Sequence, residues 1–137
     1  MEAQLFRWTE TNKMNMWIQL HDLSSKEMNG VNEDQAKDAL SKFDWLSELV
    51  KRDKSEDEVC DPGLGLIAND GSILHICPQG SEECYIHYHY PIQKKFLGLI
   101  PFSDQGTHSI MKSTISTAKI LIGHHFDENR NEILKTN

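Results

Sequence analysis

The stretch Leu64 to Cys77 reads LGLIANDGSILHIC. Two short apolar runs flank Asp70-Gly71, and Asp-Gly between such runs is the strongest short-range signal for an antiparallel hairpin. This feature constrains the fold most, because a lone hairpin is marginal in water and demands further strands or a helix against it. Closing the turn as a two-residue loop on Asp70-Gly71 places Ile67 opposite Leu74, Gly65 opposite Ile76 and Leu66 opposite His75. A second hairpin follows, with CYIHYHY (Cys84 to Tyr90) returning after PQGSEE. Matching apolar positions puts Ile76 opposite Cys84 and Leu74 opposite Ile86, since a slip of one residue would turn every side chain to the wrong face. These registers predict a core face of Ile67, Leu74, Ile76, Cys84 and Ile86. The opposite face collects His75, Tyr85, His87 and His89 with Leu64, Leu66 and Ile73.

The hydrophobic period changes along the chain. Met14, Met16, Ile18 and Leu20 alternate with Trp17 and Gln19, a strand pattern, and SSKEMNG then reads as a turn or loop. From Val31 the apolar residues recur at threes and fours: Ala36, Ala39, Leu40, Phe43, Leu46, Leu49 and Val50. Asn32 suits an N-cap, Gln35 completes a capping box, and Glu33 and Asp34 suit the positive end of the helix dipole. One long helix is therefore predicted from Asn32 to about Val50. After the charged loop Asp53 to Gly63 and the two hairpins, Lys95 to Phe102 reads as another strand, DQGT as a turn and HSIMK as a short final strand. A last helix is predicted from a Ser116 cap, with Ile115 and Ile120 as a staple, to about Phe126, and a polar tail from about residue 127. The expected architecture is α+β: one antiparallel sheet of five to six strands, one long helix before the central hairpins and one helix near the C-terminus. With no repeat or linker, residues 1–137 read as a single domain.

Composition excludes several classes. A chain of 137 residues with 38% hydrophobic and 26% charged residues is ordinary for a globular protein. No apolar run approaches the ~20 residues of a membrane span. The opening MEAQLFRWTETNK lacks the apolar centre of a signal peptide, which predicts a cytoplasmic protein. Cys60, Cys77 and Cys84 lack CxxC spacing and are expected as free thiols. The net charge of −7 argues against nucleic acid as a direct partner, because phosphate binding runs on clustered Lys and Arg, and favours a basic partner.

No catalytic motif is complete. There is no GxSxG elbow, and the glycines of DPGLGLIANDG precede no helix that could present a dinucleotide. A Cys84 pair with His75 or His87 falls on opposite faces in the expected register. His87 and His89 point one way from a strand, and His75 is a conceivable third zinc ligand. The supporting shell and open position of a catalytic zinc site are not visible in the sequence. The bulkier reading of this stretch is a ring-rich sheet face, which gives a partner large contact area at small entropy cost. No metal, cofactor or catalytic residue is expected. The candidate partner-binding residues are Tyr85, His87, Tyr88 and His89, with Tyr88 on the far face by register, and the acids Asp53, Glu56, Asp57, Glu58 and Asp61. These five acids do not follow the ligand spacing of a calcium loop. His124 and His125, at the end of the last helix, read as structural.

The segments ALSKFDWLSEL, GLGLIANDGSILHI and STAKILIGHHFDEN occur in that order. Their order, over about residues 36 to 130, resembles the small immunity proteins of bacterial polymorphic and contact-dependent growth inhibition toxin systems. The tryptophan that typically follows the last helix in that family is absent here. The resemblance implies a cytoplasmic protein without catalysis, a monomer that binds and neutralises a cognate toxin in a 1:1 complex. The toxin is often a basic nuclease, to which the acidic loop is complementary. Two other classes share parts of this pattern: an acidic dimeric secretion chaperone, and a zinc-dependent enzyme using His75, His87 and His89.

Overall fold

Among the described residues six strands pair into one sheet. The computed structural model describes residues 12–96, 98 and 100–137. The readings of the first residues, and of Leu97 and Leu99 within the Lys95–Phe102 run, lie outside the described residues. The strands are β1 (Met14–Gln19), β2 (Ser25–Val31), β3 (Gly63–Ile67), β4 (Ile73–Pro78), β5 (Glu83–Phe96) and β6 (Ile100–Thr114). The helices are α1 (Glu33–Lys42), α2 (Trp45–Lys54), α3 (Ile115–Phe126) and α4 (Arg130–Lys135). The strand order is β2-β1-β3-β4-β5-β6, and every neighbouring pair is antiparallel. The fold is α+β, and no helix among the described residues is long and apolar enough to cross a membrane.

One face of the sheet is the core. Met14, Met16, Ile18, Leu64, Leu66, Leu74, Ile76, Ile86, Tyr88 and Ile110 are buried against Ala36 and Leu40 of α1, Trp45, and Ala118, Leu121, Ile122 and Phe126 of α3. The first hairpin differs from the expected register by one residue. Its connection is the three-residue loop Asn69-Asp70-Gly71, closed by Ala68 N–H to Ser72 O at 2.9 Å and Gly71 N–H to Ala68 O at 3.0 Å. Gly71 has φ +89°, the left-handed position that ends such a loop. The pairs are Leu64 with Ile76, Gly65 with His75, Leu66 with Leu74 and Ile67 with Ile73. The odd residue turns β3 over: Leu64 and Leu66 enter the core at 0% exposure, and Ile67 lies on the opposite face at 38%. The second hairpin is shifted by two, with Ile76 opposite Ile86 and Leu74 opposite Tyr88, which preserves the faces. His75 consequently stands across from His87, not from Tyr85.

The helical span after Val31 is two helices. The capping box forms as its residues suggest, with Asn32 Oδ1 accepting from Gln35 N–H at 2.8 Å and Gln35 Oε1 from Asn32 N–H at 2.8 Å. The chain then breaks at Phe43, which is extended (φ −68°, ψ 141°), and Asp44 caps α2 by accepting from Ser47 N–H at 3.1 Å. The buried Trp45 indole donates to Leu40 O at 2.8 Å, so it satisfies a carbonyl that the break leaves open, and it packs on Phe43 with centroids 4.5 Å apart.

Four further expectations are corrected. SKEMNGV is an edge strand, not a loop: six of its seven residues are exposed, so it carries no alternation, and pairing with β1 alone makes it a strand. Gly30, at φ +72°, carries the extra residue of a bulge in that pair. The segments Lys95–Phe102, DQGT and HSIMK belong to one long β5–β6 hairpin, with residues 90–96 paired only to 100–106 beyond the edge of β4. The α3 cap is Thr114, whose Oγ1 accepts from Thr117 N–H at 3.1 Å, not Ser116. The tail folds back as α4, with Ile133 1% exposed.

Asp44→Ala removes a side-chain cap and is expected to lower unfolding free energy by about 1 kcal/mol. Trp45→Phe keeps the ring and strands the Leu40 carbonyl, at a cost of about 1–3 kcal/mol. Urea denaturation of the two variants checks both, and Trp45→Phe at wild-type stability would contradict this account of the break.

Candidate functional site

The face of the sheet away from the helices holds a row of rings. Direct Cα partners run across five strand pairings: Glu27, Trp17, Gly65, His75, His87 and Ser109. Gly65 makes the row possible. The six-membered ring of Trp17 occupies the space of a side chain there, and a Cβ on Gly65 would come within 2.0 Å of Trp17 Cη2. The indole therefore reaches His75, with ring centroids 5.6 Å apart, and His75 lies 6.2 Å from His87. His87 Nδ1 is 3.0 Å from Ser109 Oγ, and His89 Nδ1 is 3.1 Å from Thr107 Oγ1. Each hydroxyl engages the Nδ1 side of its ring. Tyr85, His87 and His89 are half-buried on this face.

Tyr88 is not there. It is 2% exposed and belongs to the core, stacked on Tyr90 at 5.4 Å and edge-on to His125 at 5.9 Å. Its hydroxyl accepts from Arg130 Nε at 3.1 Å, and Arg130 Nη2 meets Asp70 Oδ2 at 2.7 Å. It has no surface to offer a partner. His125, 2% exposed, donates from Nε2 to Leu66 O at 3.0 Å and ties α3 to β3.

A cysteine and a histidine do meet, but the cysteine is Cys77, whose Sγ is 3.5 Å from His75 Nε2. The electrostatics oppose a nucleophilic pair. Burial, then the charges of His87 and His89, pushes His75 down to about 4. Burial, then Asp61, pushes Cys77 up to about 12. Both groups are neutral at pH 7, and a thiol without a cation beside it is not activated. Cys84 is on the core face, with burial pushing it up to about 11. Among the described residues no group of three or more His, Cys, Asp or Glu is placed to hold a metal ion.

The acidic loop divides into two parts. Arg52 pairs with Asp53 at 3.0 Å and with Asp61, which neutralises those two locally. Glu56, Asp57 and Glu58 are exposed. Cys60 N–H donates to His21 O at 3.0 Å, which pins the loop to the end of β1. Asp61 acts electrostatically on both His75 and Cys77, so the loop borders the ring face.

Sequence reasoning missed the clamp at the foot of this loop. Glu48 is 6% exposed and accepts from His21 N–H at 3.0 Å and His21 Nδ1 at 2.9 Å, with Lys51 Nζ at 3.3 Å. Burial raises its pKa, but those donors outweigh burial and hold the carboxyl below its ordinary range. No local signal in the sequence marks Glu48 as buried. Trp17 had a signal, because a glycine inside a strand marks a close approach.

The class defined here is an α+β protein with one sheet face under helices and the other an open row of rings beside an acidic loop. No protein-family model, curated protein or solved structure matches the chain.

The two buried imidazoles make acid destabilising. His75 and His125 take up protons near 6.5 when unfolded, and burial lowers both in the folded chain. Below 6.5 the unfolded chain binds more protons, so stability falls as pH drops from 6.5 toward 4. The urea midpoint should drop between pH 7 and pH 5, and His75→Gln should drop less over that interval. Equal pH dependence in the two proteins would show that His75 is not held neutral.

Proposed function

We propose that the chain is an immunity protein that binds a cognate toxin domain, a basic nuclease, and neutralises it by masking its active site. The observation carrying this reading is the open ring face bordered by the acidic loop at Asp61. The rings of Tyr85, His87 and His89 supply amphipathic contact area, and the loop supplies charge of the sign a nuclease groove attracts. The net charge of −7 supports the same direction of steering. In this reading the protein works in the cytoplasm as a monomer, one copy to one toxin.

Because Arg52 holds Asp53 and Asp61, neutralising all five acids would also release an arginine. The cleaner test is Glu56→Gln/Asp57→Asn/Glu58→Gln, measured by surface plasmon resonance against the toxin domain encoded beside the gene. Association should slow several-fold at low salt and converge with wild type by about 0.5 M, where the Debye length is about 4 Å. Faster dissociation at high salt would instead mean that the loop enters the active site. Unchanged kinetics at every salt concentration would remove the loop from the interface.

A further inference from the structure

Asn15, Trp17 and Gln19 of β1 and Ser25, Glu27 and Asn29 of β2 alternate onto the open face, where they line a cleft of about 400 Å³. Its chemistry is one-sided. Its polar lining has one carboxylate, three amides, a hydroxyl and the Trp17 indole, and no cation, and the apolar Met16 and Ile67 complete it. Glu27 is the direct cross-strand partner of Trp17 and is exposed, and among the described residues its carboxylate makes no hydrogen bond or ion pair. Gln19 donates its Nε2 to Ser24 O at 2.9 Å and to Leu20 O at 3.3 Å, so its Oε1 remains to accept.

We propose that this cleft receives a guanidinium group, the side chain of an arginine on a protein partner. The planar cation lies against the Trp17 ring, with Glu27 as its charge partner and the amide oxygens of Asn15, Gln19 and Asn29 as further acceptors. Guanidinium fits better than ammonium. It is flat, weakly hydrated and carries five donors in a fork, whereas a lysine head is a compact, strongly hydrated point charge. An anion meets Glu27, and an apolar group would desolvate three amides without return. The position is built in: Gly65 leaves room for the indole over β3, and the β1–β2 pairing sets Glu27 on the other flank of β1, directly across from Trp17. The identity of the arginine's owner rests on the inhibitor reading, but the cleft itself does not.

The test separates the two. N-acetyl-arginine amide is titrated into the isotope-labelled full chain while the Trp17 indole Nε1–H is followed by NMR, with N-acetyl-citrulline amide as the uncharged isostere. Arginine should shift that resonance saturably at high millimolar probe, and citrulline should not. Glu27→Gln should weaken the arginine response about fivefold. The exposed position of Glu27 on an edge strand leaves folding intact in that variant, which circular dichroism verifies. An equal response to citrulline, no response to arginine, or an undiminished response in Glu27→Gln overturns the inference. The same variant is then measured against the toxin domain. If the toxin binds wild type and Glu27→Gln equally, the cleft is not where its arginine goes and only this inference falls. If the probe binds and the toxin never does, the cleft stands and the inhibitor reading falls.

Discussion

The pairing of β3 on β4 is set by where one glycine can adopt a left-handed conformation. Gly71 takes φ +89°, and Asp70 accepts from Ser72 N–H at 2.9 Å, so the loop closes over three residues. An odd loop length decides the parity of β3. Leu64 and Leu66 go inward, and Gly63, Gly65 and Ile67 go outward. The outward glycines then determine the open face. Gly65 leaves room for the Trp17 ring, and a Cβ at Gly63 would meet His75 Nε2 at 3.0 Å and Cys77 Sγ at 3.1 Å. With the opposite parity, leucines would stand where the rings lie and the face would be an apolar surface in need of cover.

Arg130 holds the same hairpin from the other side. It joins Asp70 in the loop, Tyr88 in the core and the face of Tyr90, 5.2 Å from that centroid. The element that sets the register is thereby fastened to α4, through a segment whose composition reads as a polar tail. The partial exposure of the Arg130–Asp70 pair makes its contribution small by itself. The hydrogen bond to Tyr88 matters more, because it satisfies a hydroxyl that sits in the core.

Much of the sheet was legible because period-two alternation reports burial on one face. β1, β4 and the first half of β5 follow it, and the parity of His75, His87 and His89 came out right although the pairing was two residues off. β2 was illegible for the complementary reason: an edge strand exposed on both faces has no burial to report. The helix break at Phe43–Asp44 was hidden because the apolar spacing continues across it. Only Asp44, a capping residue, marked the second start. Among the site residues, Tyr85, His87 and His89 lie on the open face, whereas Tyr88 is internal by the same alternation. Trp17 and Glu27 were not connected, since joining them requires knowing that β2 exists.

The open face also carries an electrostatic constraint that bears on how it can act. Burial, and then the charges of His87 and His89, disfavour the charging of His75. His75 is therefore uncharged at neutral pH, with Glu27 at the β2 margin of the row and Asp61, held by Arg52, at the loop margin. On the proposed reading, such an arrangement separates two tasks. Exposed marginal charges act at a distance and govern how fast a cationic surface arrives, an effect that salt erases. The rings act only in contact and govern how long it stays, through area removed from water. A central imidazole that charged readily would repel the same cationic surface that the margins attract. Holding His75 neutral makes the face consistent from edge to centre, and the flat Trp17 ring is where the two tasks meet.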